Sequence, residues 1–184
     1  MKLRPVDPTR LDVEAFAKDG GSLDGEWPVT LLKRLFDAAH SEARPTDADL
    51  AQWSAQGESR TKRASGPEVW LHVQAKACVS LVCQRCLGPV ETPLNVQRSF
   101  HFVANEDLAA QLDADSEDDV LALTRSLNLC ELVEDELLLA LPLVPRHEVC
   151  PDPLPLPHGD DKGEESAPNP FAVLAALKRG SAPN

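Results

Sequence analysis

Two stretches of the chain alternate apolar and polar residues with a period of two. Val69, Leu71, Val73, Ala75, Ala77, Val79 and Leu81 share one parity, against Trp70, His72, Gln74, Lys76, Cys78 and Ser80. Further on, Leu94, Val96, Phe100 and Phe102 share one parity against Asn95, Gln97, Ser99 and His101. Alternation of this kind marks strands with one buried face, so strands are predicted at about 68–82 and 91–103. The segment between them, Cys83-Gln84-Arg85-Cys86-Leu87-Gly88-Pro89, becomes the joint of a β-hairpin. Leu50 to Gln56 is a third strand candidate, and the polar, basic run Gly57 to Gly66 reads as the turn after it. The three strands would form an antiparallel meander. Arg98 interrupts the apolar parity of its strand and marks either an edge or a place where the sheet faces a partner.

Helical spacing appears in two other places. Leu31, Leu32, Leu35, Phe36 and Ala39 fall on one face, with Lys33, Arg34 and Asp37 off it and Thr30 placed as an N-cap, which predicts a helix near 31–40. Leu129, Leu132, Val133, Leu137 and Ala140 predict a second, with Glu131, Glu134 and Asp135 facing away; Pro142 ends it and Pro145 prevents its resumption. Between the strands and this helix, residues 105–119 carry seven acids and read as a solvated connection with a helical turn at Glu106–Leu112. Past Pro151 the chain is rich in proline, aspartate and glycine, the composition of a flexible linker. Asn169 and Pro170 then suit the start of a short helix over 171–178, with Phe171, Leu174 and Leu177 as its apolar stripe.

The elements add up to an α+β protein. Its antiparallel sheet, a meander or partial barrel around residues 48–104, is covered by a few helices. The expected organisation is one domain over 1–150 containing the C-x-x-C hairpin, a flexible linker over 151–168, and a short C-terminal helix and tail over 169–184.

Charge narrows the range of functions. The net charge of -12 arises entirely after residue 100: residues 1–100 balance 13 basic against 13 acidic groups, and residues 101–184 hold 5 against 17. An acidic half repels nucleic acid and excludes a general nucleic-acid coat protein, while leaving room for docking through one small basic face. No apolar run is long enough to span a bilayer, and the N-terminus lacks the apolar core of a signal peptide. The expectation is a cytoplasmic protein. Its five cysteines, odd in number with one close pair, make a poor disulfide framework.

The chemistry concentrates at the hairpin joint. Cys83 and Cys86, two residues apart, supply half of a tetrahedral zinc site. His147 and Cys150, just past the proline-terminated helix, are the best remaining pair, so the candidate metal set is Cys83, Cys86, His147 and Cys150, with structural zinc as the candidate cofactor. The alternative is that the thiols pack at the hairpin tip as small apolar residues. A thioredoxin-like redox pair fits less well, because that chemistry sets the thiols at a helix start and these flanks are strands. Cys78 and Cys130 read as packing residues. Arg85 in the joint and Arg60, Lys62 and Arg63 in the preceding turn are candidate contacts to RNA phosphate, since arginine at an exposed tip forks onto phosphate; a solvated loop is the plainer alternative for each. Glu131, Glu134, Asp135 and Glu136 read as a solvated surface rather than a catalytic pair. No nucleophile elbow, phosphate-binding glycine loop or metal-hydrolase signature is present, so no catalytic residue is assigned.

Three blocks resemble one family. They are Leu81-Val82-Cys83-Gln84-Arg85-Cys86-Leu87, then Leu132 to Pro145 (LVEDELLLALPLVP), then Pro168 to Lys178 (PNPFAVLAALK). Together, in this order over roughly residues 68–179, they resemble the YceD family, the bacterial large ribosomal RNA subunit accumulation proteins. Where many relatives carry further cysteines after the Leu-Pro block, this chain has His147 and Cys150, which keeps zinc binding possible. The resemblance implies a non-enzymatic factor in large-subunit biogenesis that supports synthesis, processing or stability of 23S rRNA. Its partners would be the large-subunit precursor or that RNA, and a ribosomal protein. The alternative is a protein–protein adaptor that grips a basic ribosomal protein through its acidic half without touching RNA.

Overall fold

A computed structural model describes residues 6–62, 66–114, 116 and 118–151. The C-terminal helix expected over 171–178, Arg63 and the linker beyond Pro151 lie outside the described residues. By its internal contacts the chain divides into a unit of Met1–Pro153 and a unit of Leu154–Asn184, and only the first contains described residues.

The described residues form an α+β fold. Five strands, β1 (Ser22–Pro28), β2 (Leu50–Lys62), β3 (Gly66–Val82), β4 (Pro89–Val103) and β5 (Asp119–Ala122), lie side by side in sequence order. The first four pair antiparallel, and β5 runs parallel to β4. Four helices accompany them: α1 (Val13–Lys18), α2 (Lys33–Ala38), α3 (Glu106–Asp113) and α4 (Leu129–Leu139). None of these is long and apolar enough to cross a membrane.

The inner face of the sheet holds the core. Leu71, Val73, Ala75 and Val79 of β3 and Leu94, Val96, Phe100 and Phe102 of β4 are buried there with Leu129, Val133 and Leu137 of α4. The alternation that predicted β3 and β4 is thus the division between this core and the opposite face. β2 runs through the expected turn at 57–66 and carries Glu58 and Arg60 as strand residues. Beyond Ala55 its inward positions are Gly57, Ser59 and Thr61, so no apolar signal marks the strand. Gly57 is required by packing. A Cβ there would lie 2.8 Å from the Cα of Ala17, where α1 presses on the sheet.

Two acids expected in solvent are buried. Glu134 and Glu136 of α4 are each less than a tenth exposed. Helix α2 starts at Lys33, after a 3-10 turn at Val29–Leu31, and its N-cap Leu32 offers no side-chain acceptor. Glu134 takes that role from across the core. Its Oε1 accepts from the backbone N–H of Arg34 at 2.7 Å and of Leu35 at 3.3 Å, and its Oε2 accepts from the Arg34 guanidinium at 2.9 and 3.0 Å. Thr30, the expected cap, donates its hydroxyl to Asp47 instead.

Arg98 lies opposite Val73 of β3 and ahead of Phe100, where pairing with β5 begins, so β4 is a sheet edge at this position. Its side chain is half exposed, and its Nε donates to Glu136 Oε2 at 3.1 Å. Burial pushes the Glu136 carboxyl above its ordinary value, against the opposing pull of Arg98. A carboxyl raised in the folded state stabilises the fold in its protonated form, and that contribution is lost as pH rises through the raised value. Glu136→Gln is therefore expected to change stability at pH 7 by no more than about 1 kcal/mol, because the buried charge disappears along with its pair. The variant should also lack the parent's gain in stability on mild acidification. Urea unfolding at pH 7 and pH 5 measures both; a loss of several kcal/mol at pH 7 would contradict this account.

Candidate metal centre

The joint between β3 and β4 is a tight turn. Cys83 N–H donates to Gly88 O and Leu87 N–H donates to Cys83 O, both at 2.9 Å, and Leu87 takes φ 64° in the left-handed region to close it. The turn aims the backbone N–H groups of Arg85 and Cys86 at the Cys83 sulfur. Burial pushes the Cys83 thiol up, but these two donors, the N–H of His147 and the Cys86 thiol together outweigh it and bring the value down to about 5. At Cys86 the N–H of Gly88 pulls the value down, and burial with the Cys150 and Cys83 sulfurs pushes it up with a net rise. Cys83 carries negative charge readily, and Cys86 resists doing so in the absence of a cation.

The second pair of donors arrives on the segment after α4. Pro142 and Pro145 prevent that segment from continuing as helix, and it crosses to the hairpin joint, where Gln84 N–H donates to Pro145 O at 2.8 Å. Arg85 then fastens it. Its Nε donates to Cys150 Sγ at 2.9 Å, and an Nη donates to the carbonyls of His147 at 2.9 Å and Glu148 at 3.1 Å.

The four donor atoms of Cys83, Cys86, His147 and Cys150 all lie within 4.8 Å of one another. Cys83 Sγ is 3.8 Å from Cys150 Sγ, and Cys86 Sγ is 3.4 Å from His147 Nδ1. Bonds of about 2.3 Å to sulfur and about 2.0–2.1 Å to nitrogen in a tetrahedron separate the donors by about 3.5–3.8 Å, so these two separations are close to the edges that a zinc ion would impose. The histidine is correctly presented. Its Nε2 lies 3.0 Å from Pro89 O, and a carbonyl only accepts, so the proton sits on Nε2 and Nδ1 turns its lone pair to the sulfurs. Metal-ligating histidines are commonly oriented by such a bond from the other ring nitrogen. The group is able to hold a metal ion.

His40 supports the turn from outside, and no sequence signal marked it. It is buried at the end of α2, its Nδ1 accepts from Glu42 N–H at 3.1 Å, and its Nε2 donates to Leu87 O at 3.1 Å. Cys78 is exposed on the outer face rather than packed, and Cys130 is partly buried.

The RNA candidates do not form one patch. Arg85 lies at the β3–β4 joint, while Arg60 and Lys62 lie on the strand leading to the opposite end of β3. Seventeen residues of strand separate the two ends, roughly 50 Å at strand rise. Arg60 donates twice to Glu58, at 2.9 Å each, and stacks over Trp70 with its guanidinium carbon 4.5 Å from the ring centroid. Arg60 and His72 hold the Glu58 carboxyl down to about 2. Trp70 is sandwiched on its other side by His101, with centroids 4.7 Å apart.

Comparison with known proteins adds the family. A family model described as large ribosomal RNA subunit accumulation protein YceD matches residues 71–178, a span that contains all four candidate ligands and neither Arg60 nor Lys62. A relative of that name from Haemophilus influenzae is 42% identical over 105 residues, which make up 55% of this chain and 60% of the relative. No solved structure matches.

Proposed function

The chain belongs to the YceD family, and from that membership we propose that it is a non-enzymatic, cytoplasmic factor that supports accumulation of the large-subunit rRNA. Synthesis, processing and stability of 23S rRNA are the steps such a factor would serve, and the large-subunit precursor is its partner. The Cys/His cluster carries the structural part of the reading. In it, zinc joins the β3–β4 joint to the segment after α4, with Cys83, Cys86, His147 and Cys150 as ligands. Three thiolates around a dication leave one negative charge, which Arg85 neutralises. A closed set of four protein ligands has no open position for substrate, which is the pattern of a structural site.

Arg85, Arg60, Lys62 and Arg63 are the proposed contacts to RNA phosphate. Arg85 has two roles in this reading, so its substitution alone would not separate RNA contact from metal retention. The cleaner test replaces Arg60 and Lys62 by glutamine and follows binding to purified large-subunit precursor particles. Counterion release predicts weaker association as salt rises, by roughly one power of salt per phosphate contact. The double variant is expected to bind several-fold more weakly with a shallower salt slope. Binding indifferent to both salt and the substitutions would remove the basic strand from the mechanism.

Exposed side chains favour one second reading. Leu143 and Val149, more than four-fifths exposed, flank the Cys/His cluster, and Glu106 and Asp107 of α3 face solvent. A protein–protein adaptor that grips a basic ribosomal protein would use such surfaces. Crosslinks to protein without RNA adducts would identify it.

A further inference from the structure

The two edges of the sheet are finished differently. At the β5 edge the strand is four residues long, α3 packs Ala109 beside Val120 and Val103, and Asp113 Oδ1 accepts from Val120 N–H at 3.2 Å. The β1 edge has seven residues, and among the described residues no helix packs along it as α3 does at β5. Gly57 N–H donates to Gly21 O and Val29 N–H donates to Asp49 O, so odd-numbered residues from Gly21 to Val29 turn their backbone groups toward β2. Antiparallel alternation then sends the N–H and C=O of Ser22, Asp24 and Glu26 outward. Among the described residues nothing accepts from or donates to them.

The side chains along this edge are sorted by face. Asp24 and Glu26 stand exposed on the outer face. Leu23 and Trp27, both partly buried, pack against the core on the inner face, and Trp27 stacks on Trp53 with centroids 4.3 Å apart. Gly25 leaves the space that the Trp53 ring fills. Natural edges are commonly guarded by lysine, brevity or a bulge; this one offers two acids, an aromatic shelf and open hydrogen-bonding groups.

We propose that β1 is a docking edge for an extended partner segment in which basic and apolar residues alternate. Such a segment adds a sixth strand. Its main chain bonds to Ser22, Asp24 and Glu26, its basic residues lie opposite the two acids, and its apolar residues rest beside Leu23 and Trp27. The assignment is independent of the RNA reading and uses residues outside the family-matched span.

The test uses the full chain and a capped seven-residue peptide that alternates lysine or arginine with valine. On titration, the backbone amides of Ser22, Asp24 and Glu26 should become protected from hydrogen exchange. The D24K/E26K chain should bind at least tenfold more weakly while keeping the parent's circular dichroism. A peptide with proline at its central position, unable to complete the ladder, should fail against the parent. Three outcomes would overturn the proposal: no binding, protection confined to amides elsewhere, or equal binding by the charge-reversed chain or the proline peptide.

Discussion

Cys83→Ser is expected to abolish the metal content of the purified protein, which should otherwise carry about one zinc per chain. Cys83 is fully buried and receives backbone donors from its own turn and a thiol contact from Cys150. A serine hydroxyl does not ionise there, and no other sulfur stands close enough to replace it among the described residues. Affinity should fall by at least about a thousandfold, or roughly 4 kcal/mol. Unfolding should be local first. Apart from the metal ligands' own side chains, the segment from Pro145 to Cys150 is tied to the hairpin joint by the Gln84–Pro145 backbone bond and the Arg85 contacts, whereas the sheet has its own core. Amide exchange should therefore accelerate across 145–151 well before the strands lose protection. Cys78→Ser, on the exposed face, is the control and should keep its zinc. Metal-free parent protein with the same fold and protection would end the metal reading.

The second large effect is expected at Glu134. Replacing it by alanine strips acceptors from Arg34 N–H and Leu35 N–H and removes one of the two carboxylate partners of the Arg34 guanidinium, leaving Asp135. Losing a helix cap costs about 0.5–2 kcal/mol, and breaking a buried ion pair costs about 3–5 kcal/mol. Arg34 is half exposed, so solvent recovers part of its share, and a total of about 2–4 kcal/mol is expected. That corresponds to a fall in Tm of roughly 10 °C for a unit of this size. Glu134→Gln keeps an oxygen for the two N–H groups and should lose less than half as much. Thermal unfolding of both variants gives the measurement. Alanine and glutamine variants of equal stability would show that the carboxylate does not cap α2. The contrast with Glu136→Gln is informative, because both acids are buried on one helix and only Glu134 closes a helix terminus.

The family resemblance, the α+β class and the two long strands were all legible in the residues. The strands were legible because β3 and β4 each bury one face continuously, so the period of two survives along their length. β2 beyond Ala55 and β1 were not. The inward positions are Gly57, Ser59 and Thr61 in β2, and in β1 Gly25 interrupts Leu23 and Trp27; glycine inside a strand is indistinguishable from a turn signal until the helix or ring that needs its space is known. β5 is hidden because four residues in an acidic run carry too little pattern. Glu134 and Glu136 read as surface because charge on a helix defaults to solvent, and only the neighbouring backbone and Arg98 explain their burial.

For the candidate centre, sequence alone supplied the ligand types and the two short spacings. Spacing constrains donors that are a turn apart, since backbone geometry is local. What brings Cys83 and Cys86 to His147 and Cys150, across more than sixty residues, is the packing of α4 on the sheet, and that arrangement exists only in the folded chain. The same holds for Arg85, which bonds Cys150 while its side chain stays exposed, and for the separation of the basic residues by the length of β3.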